Sequence, residues 1–255
     1  MDLGIRGRVA LVMGASSGIG EAVALALAAE GVKLAMAARR TERLDDVASR
    51  AMQLGAADAR GFQLDLLSAD SVKRMRDAVR ATFGDVDILV LNGGGPKPGR
   101  FTDMAPDDWD TAYRLLLRSM IDLIDATIPS MRAKKWGRVV ALTSTAVKQP
   151  TANLVLSNVF RTGLVAALKT LAGEVAPDGV TINAIATGLV ATSRFRQLHP
   201  GEEAERAATR EVPAGRVATP AEFAPLVAFL CGAPASYVTG QTIAIDGGYV
   251  RGTFG

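Results

Sequence analysis

The chain is poor in the side chains that bind metals or cross-link a fold. Its 255 residues include one cysteine, Cys231, and one histidine, His199. A single cysteine excludes an internal disulfide and suits a reducing compartment, and a structural zinc site needs several Cys or His ligands. The sequence therefore predicts no metal centre and favours a cytoplasmic protein.

Long apolar runs and a large excess of one charge are also missing. Charged residues make up 22% of the chain and are spread too evenly to leave a membrane-spanning segment. Residues 1–8 run directly into an apolar stretch, with no signal-peptide pattern. The 29 basic and 26 acidic side chains nearly balance, and the basic ones form no stripe. We therefore expect neither membrane insertion nor nucleic-acid binding.

Short apolar runs alternate with longer segments of helical period along the whole chain. Such alternation is typical of βαβ units and a parallel sheet. No linker or repeat divides the sequence, so we predict one α/β domain over residues 1–255, with about seven parallel strands and helices on both faces of the sheet. The predicted strands are Val9–Met13, Lys33–Ala38, Arg60–Leu64, Ile88–Leu91, Arg138–Leu142, Thr181–Ala186 and Thr242–Ile245.

The remaining pattern predicts two long helices and one irregular stretch. The helices are expected at Thr111–Met131 and Leu154–Glu174. Residues 193–213 are the least patterned part of the chain, and they follow the carboxyl end of a predicted strand. We interpret them either as a lid over a substrate or as a plain surface loop.

The first predicted strand runs into a glycine-rich turn that opens a helix, since residues 14–20 read GASSGIG. Glycine allows positive φ and close backbone approach, while the free N–H groups and positive dipole of a new helix attract a diphosphate. A tight turn alone also explains the glycines, but the position after the first strand of an alternating chain is typical of a Rossmann fold that binds a dinucleotide. The candidate contacts in this turn are Gly14, Ser16, Ser17, Gly18, Ile19 and Gly20.

The glycine spacing of this turn resembles that of the short-chain dehydrogenase/reductase family. Later segments resemble the same family in the same order: the strand that ends in Asn92-Gly93, the run Asn183 to Gly188, Gly215-Arg216 and Asp246-Gly247. The resemblance covers essentially the whole chain. It implies an oxidoreductase that transfers hydride between a nicotinamide dinucleotide and a carbonyl or alcohol, with 3-oxoacyl thioester reductases among the most similar relatives.

The residues after the second strand distinguish NADP(H) from NAD(H). By resemblance, Ala38 fills the position where NAD-preferring relatives often carry Asp, and Arg39 suits a 2′-phosphate. We therefore expect NADP(H) rather than NAD(H), although Arg39 and Arg40 also fit two solvated charges. Asp65 resembles a residue that contacts adenine but equally fits the N-cap of the next helix. The resemblance implies further cofactor contacts from Asn92, Gly93, Arg161, Thr187, Gly188 and Thr192.

Only one of the family's four catalytic positions keeps its residue. The resemblance aligns Ser144 with the catalytic Ser, whereas Ser157 and Arg161 stand where Tyr and Lys are expected, and Leu116 replaces the Asn. An aliphatic hydroxyl is a far weaker acid than a phenol, and arginine does not exchange its proton as lysine does. These replacements predict retained cofactor binding with a non-standard proton donor.

Other side chains near these positions offer alternative donors, and each also has a simpler interpretation. Lys148 and Asn153 follow Ser144 in the same loop. Tyr113 fits core packing, Lys148 fits a solvated loop charge, and His199 fits the surface. A water network is a further source of the proton. Arg194 and Arg196, in residues 193–213, suit either an acidic substrate group or ordinary solvent exposure.

Two functions fit the sequence. The first is an NADP(H)-dependent oxidoreductase acting on a small carbonyl or acyl thioester substrate. The second is a catalytically impaired dinucleotide-binding protein that acts as a sensor or assembly partner, and a scaffold without nucleotide affinity is a third class. The family resemblance also implies a homotetramer paired through the two long helices, although burial within one subunit explains their apolar residues as well: Leu115, Ile121, Leu164, Leu168 and Leu171.

Overall fold

Seven parallel strands form one sheet across residues 1–253, the part of the chain that the computed structural model describes. The strands lie in the order β3-β2-β1-β4-β5-β6-β7. This arrangement confirms the predicted single-sheet Rossmann fold. The strands are β1 (Val9–Met13), β2 (Lys33–Ala38), β3 (Asp58–Gln63), β4 (Ile88–Asn92), β5 (Gly137–Leu142), β6 (Val180–Thr187) and β7 (Thr242–Ile245).

The strand order reverses between β1 and β4, and this reversal decides where a ligand fits. In an open α/β sheet, the connections from two neighbouring strands leave in opposite directions at such a point and open a crevice beyond the carboxyl ends of the strands. Here β1 pairs with both β2 and β4, so the crevice lies above Met13 and Asn92. The glycine-rich turn starts at this position.

Helices cover both faces of the sheet, as predicted. One face carries α1, α2 and α9, and the other carries α3, α5 and α6. Their bounds are α1 (Gly18–Ala29), α2 (Glu42–Leu54), α3 (Ala69–Phe83), α4 (Pro106–Tyr113), α5 (Ser119–Ala133), α6 (Val155–Val175), α7 (Ser193–Leu198), α8 (Glu202–Arg210) and α9 (Ala224–Cys231).

The first predicted long helix is interrupted. Helix α4 ends at Tyr113, and a single π-helical turn at Arg114–Arg118 separates it from α5. A π turn adds a residue to the helical ladder and commonly marks a functional position. Periodicity alone did not show this interruption, because the apolar spacing on either side is still helical.

The five inner strands, β2, β1, β4, β5 and β6, are buried on both faces, which explains their continuous apolar runs. Along β1, Val12 packs into the core with α1, while Leu11 faces the core with α6. Leu164 and Leu168 are each 3% exposed and belong to the core between the sheet and α3, α5 and α6. Of the two sequence interpretations of these leucines, burial within one subunit is therefore confirmed, because α6 packs them against its own sheet.

Residues 193–213 are more regular than the sequence predicts, since they contain α7 and α8. Thr192 caps α7 by accepting a hydrogen bond from the Phe195 N–H at 3.3 Å, and the Phe195 ring is buried. Three glutamates occupy the first turn of α8, where they favour the positive end of the helix dipole. None of the helices in the described part of the chain has the length and apolar character that a bilayer crossing requires.

Candidate functional site

The turn between β1 and α1 is packed so closely that its three glycine positions, 14, 18 and 20, disfavour any side chain. Gly14 and Gly18 both have φ of +63°, which disfavours residues with a side chain. A Cβ atom on Gly14 would lie 2.6 Å from Nδ2 of Asn92, and one on Gly20 would lie 2.7 Å from the same atom. The turn and Asn92, at the end of β4, therefore form one interlocked unit.

The start of α1 is open to a ligand. Ser17 is the N-cap residue in an extended conformation, and its side chain makes no capping hydrogen bond. The first N–H groups of the helix consequently lack the usual side-chain acceptor and point toward the crevice. A narrow glycine backbone next to free N–H groups and a positive dipole fits the diphosphate of a dinucleotide.

Two arginines lie beside this turn, and the structure distinguishes their contacts. Nη2 of Arg40 donates to Oγ of Ser17 at 3.4 Å. Arg39 is exposed and extends from the end of β2 into solvent. Arg40 thus reaches the turn, a contact that the sequence interpretation did not assign to it. No acidic residue occupies the end of β2, as Ala38 is its last member.

Asp65 lies beyond β3 and is exposed, with its carboxylate accepting from the Leu67 N–H at 3.0 Å. The N-cap of α3 is Ser68, whose hydroxyl accepts from the Ser71 N–H at 3.2 Å. The interpretation of Asp65 as that cap is therefore wrong. Asp65 itself lies two residues past the carboxyl end of β3.

The carboxyl end of β6 approaches the glycine turn from the other side. Thr187 donates its hydroxyl to the carbonyl of Thr143 at 2.8 Å, which ties β6 to the end of β5. A Cβ on Gly188 would lie 2.6 Å from Cα of Asp246. Cγ2 of Thr192 lies 3.2 Å from the position of a Cβ on Gly18. Thr192 therefore packs against the glycine turn, whereas Arg39 extends away from it into solvent.

Ser144 follows β5 and is half-buried. Its hydroxyl oxygen accepts from the Ala146 N–H at 3.2 Å and starts a short turn over residues 145–147. Because this bond uses an oxygen lone pair, the hydroxyl proton remains free to donate. Ser157, in the first turn of α6, is only 5% exposed, and Leu116 is 1% exposed inside the π turn. Neither side chain can act as a solvent-exposed acid.

Arg161 links the ends of two strands. Its Nη1 donates to the carbonyl of Leu142 at 3.1 Å, and its Nη2 donates to the carbonyl of Gly94 at 3.4 Å. Burial, assisted by the nearby charge of Arg194, lowers the pKa of Arg161 to about 10. The guanidinium therefore keeps its positive charge at neutral pH and holds it beside the end of β5.

The alternative proton donors named from the sequence make other contacts. Tyr113 is 40% exposed, and its ring lies 6.1 Å from that of Phe160, so its assignment to core packing is wrong. Asn153 accepts from Nε of Arg100 at 3.4 Å, and the His199 ring packs 4.8 Å from Phe195. Lys148 lines a surface groove of about 250 Å³ between α6 and β7.

Of the two sequence interpretations of Arg194, ordinary solvent exposure is wrong, because the side chain packs against the loop that follows β4. The guanidinium is half-buried, and its Nη2 donates to the carbonyl of Pro96 at 2.6 Å. A Cβ on Gly95 would lie 2.6 Å from Cζ of Arg194. The signal for this contact was the run of glycines at 93–95, which leaves room for a long side chain from another segment.

Comparisons with known proteins agree with this geometry. A family model described as "Enoyl-(Acyl carrier protein) reductase" matches residues 14–250. The 3-oxoacyl-[acyl-carrier-protein] reductase FabG of Salmonella typhimurium is 34% identical over 246 residues, which cover 96% of this chain and 98% of that protein. Nodulation protein G of Rhizobium sp. (strain N33) is 36% identical over 247 residues, covering 96% of this chain and 97% of that protein.

A solved structure is similar over the whole fold as well. L-sorbose reductase from Gluconobacter frateurii, complexed with NADPH and L-sorbose, superimposes with a TM-score of 0.93 at 31% identity, covering 99% of this chain and 100% of that one. The family match spans the glycine turn, the catalytic positions and the end of β7. This chain belongs to the short-chain dehydrogenase/reductase family of NAD(P)-dependent oxidoreductases.

Proposed function

We propose that this protein is an NADP(H)-dependent oxidoreductase that interconverts a carbonyl and an alcohol without the family's tyrosine acid. The observation that carries the proposal is the pairing of a dinucleotide-shaped crevice with a retained cation at its catalytic end. Arg161 holds that charge between the ends of β4 and β5, and Ser144 follows β5 with a hydroxyl proton free to donate.

The proposed cofactor contacts use the crevice from end to end. The turn at residues 14–20 and the start of α1 hold the diphosphate, Asp65 and Asn92 face the adenosine side, and residues 187–192 complete the opposite wall. When bound, the nicotinamide dinucleotide supplies or accepts the hydride. Arg39 and Arg40 support NADP(H) over NAD(H), because two cations at the end of β2 suit a 2′-phosphate and no acidic side chain is present there to repel it.

The acid–base chemistry is proposed to differ from that of relatives with a tyrosine. Ser144 donates a hydrogen bond to the substrate oxygen, and Arg161 stabilises the negative charge that develops there. A solvent proton then completes the alcohol. This division suits the residues present, since a guanidinium with a pKa of about 10 stabilises an anion more readily than it gives up a proton.

The name of a relative supports the proposed substrate class, and the exposed surfaces of two helices support the proposed assembly. A 3-oxoacyl thioester is one proposed substrate, because the FabG protein cited above carries that activity in its name. We also propose a homotetramer in the cytoplasm. Exposed apolar side chains on the outer surface of α4 and α6, Tyr113 at 40% and Val159 at 46%, support pairing of these helices between subunits. Light scattering tests the tetramer against the chain mass of 26.6 kDa.

One assay separates the enzyme from the second candidate, a dinucleotide sensor with little turnover. The buried Ser157 and Leu116 favour that candidate, because neither replaces the missing acid. NADPH affinity is measured by its fluorescence, and NADPH oxidation is followed with short 3-oxoacyl thioesters, their esters and simple ketones. Saturable turnover supports the oxidoreductase, binding without turnover supports the sensor, and no affinity for NADPH or NADH contradicts both.

A further inference from the structure

Two guanidinium groups from different parts of the chain meet on one loop at the catalytic end of the crevice. Arg161, on α6, donates to the carbonyl of Gly94, and Arg194, on α7, donates to the carbonyl of Pro96. The loop at 94–96 follows β4 directly, and Gly95 has no side chain to obstruct Arg194. The two cations therefore flank the same three residues.

No acidic side chain among residues 1–253 balances these charges. The acceptors of Arg161 are the carbonyls of Leu142 and Gly94, and those of Arg194 are the carbonyl of Pro96 and the Gln197 amide oxygen at 2.9 Å. All four acceptors are neutral. Burial lowers the pKa of each arginine, and Arg194 lowers that of Arg161 further because like charges repel. Holding both cations together costs free energy that an anion would recover.

We propose that the substrate of this oxidoreductase carries a carboxylate, which Arg161 and Arg194 bind between the loop at 94–96 and α7. The proposal rests on the function proposed above and names its substrate class. Guanidinium groups bind carboxylates through paired N–H donors, and each arginine keeps N–H groups beyond those given to its neutral acceptors. The substrate acid then lies at the Ser144 end of the crevice, where it orients the carbonyl.

The cofactor diphosphate is the competing anion, and the contacts favour the substrate. The diphosphate cradle is the turn at 14–20 with the free start of α1, which already supplies N–H donors and a positive dipole. Arg161 instead reaches the ends of β4 and β5, on the side of Ser144. Arg194 is fixed by Pro96 and Gln197 on that same side.

Matched substrates and a matched variant test the proposal. Acetoacetate and levulinate are compared with their methyl esters, by NADPH oxidation and by calorimetric binding to the NADP-loaded protein. We expect kcat/KM, or affinity where turnover is absent, to favour the acids by about tenfold or more, as a charge-assisted hydrogen bond predicts. Arg194→Gln is expected to remove most of this preference and leave the NADPH dissociation constant unchanged. The control is Arg196→Gln, on the exposed side of the same helix, which keeps the preference.

Three results overturn the carboxylate site: equal use or binding of acid and ester by the unaltered protein, an acid preference that survives Arg194→Gln, or a weakened NADPH affinity in that variant with the acid preference intact. The last would assign Arg194 to the cofactor. Failure of the unaltered protein to bind NADPH is a separate outcome. It removes the proposed function itself and with it the substrate site.

Discussion

The side-chain amide of Asn92 occupies the space that a Cβ on Gly20 would need, with Nδ2 2.7 Å from that position. Asn92 ends β4, while Gly20 lies in the first turn of α1, the helix that follows β1. This contact therefore packs the end of β4 against the start of α1. A methyl group at residue 20 would also meet the backbone of Gly14. The shape of the glycine turn at 14–20 therefore depends on the absence of a side chain at residue 20.

Gly20→Ala is therefore expected to weaken both the fold and the cofactor site. The added Cβ meets backbone that cannot move aside without opening the turn, and overpacking of this kind costs about 1–3 kcal/mol of unfolding free energy. Thermal unfolding and NADPH fluorescence titration measure the two effects.

Gly173→Ala in α6 is the matched control, because nothing lies within 4 Å of its added Cβ. We expect this variant to be about 0.5–1 kcal/mol more stable, as alanine favours a helix over glycine. Equal stability and equal NADPH affinity of the two variants would contradict the close packing of the glycine turn.

Arg39 and Arg40 are expected to select NADPH over NADH. Arg39→Ala and Arg40→Ala remove one cation each from the end of β2, and loss of a charge-assisted hydrogen bond to a 2′-phosphate weakens NADPH binding by about tenfold to a hundredfold. NADH lacks that phosphate, so its dissociation constant should change little in either variant. Parallel titrations with both nucleotides measure the ratio. An equal loss for NADH would instead assign the arginines to the diphosphate or to the fold.

The sequence predicted the sheet and the cofactor crevice well because both depend on local patterns. β1, β2 and β7 have the predicted bounds. For β1 and β2 the reason is that a strand buried on both faces is a continuous apolar run between turn residues. The glycine turn was readable because its residue types are dictated by φ and close approach. These constraints act over a few residues and leave a clear record in the order of the amino acids.

The parts that the sequence missed depend on contacts between distant segments. The sequence favoured solvent exposure for Arg194 because its acceptor, the carbonyl of Pro96, lies 98 positions away along the chain. Arg40 follows β2, whereas its acceptor Ser17 lies in the turn after β1, so the sequence also allowed Arg40 to be a solvated charge. The sequence also could not show that Leu164 and Leu168 face the core and not the outer surface of α6, because it does not show which side of that helix meets the sheet. Helical periodicity gives the apolar side but not the partner that covers it.

Ser144→Ala is expected to lower kcat by about a hundredfold or more if its hydroxyl stabilises the developing alkoxide, which is the loss seen for single oxyanion donors. NADPH affinity should stay unchanged, because Ser144 is proposed to contact the substrate. The variant also loses the hydrogen bond from the Ala146 N–H, at a cost of about 1 kcal/mol of stability. Ser144→Thr keeps a hydroxyl for both roles and serves as the control. A stability loss with an unchanged rate would assign Ser144 to the turn alone.

The rate is expected to fall as pH rises through about 10, the pKa of Arg161. Only the protonated guanidinium stabilises an anion, so activity is retained below this pH and lost above it. Arg194→Gln removes a neighbouring like charge, which raises the pKa of Arg161 and moves the alkaline limb to higher pH. Arg161→Gln should lack the limb and have a low rate at every pH. The measurement is log kcat/KM against pH, with circular dichroism to confirm folding. An Arg194→Gln limb at lower pH would contradict the electrostatic coupling.

Cys231 provides a probe of folding that does not depend on catalysis. The side chain is fully buried in α9, and this burial raises the pKa of its thiol to about 12, against a weaker opposing effect of the Arg138 charge. Since the thiolate is the reactive form, we expect the folded protein to react with a disulfide reagent orders of magnitude more slowly than the same protein in denaturant.

The same thiol makes stability depend on pH. The unfolded thiol loses its proton near pH 8.5, so the unfolded state binds fewer protons than the folded state between that pH and about 12. Cys231 therefore makes the folded state less stable as pH rises through this window. Denaturant titrations below and within the window should show this trend, and Cys231→Ala should weaken it. Rapid labelling of the native protein would mean that α9 detaches from the sheet, because no other route brings the reagent to a sulfur packed beneath it.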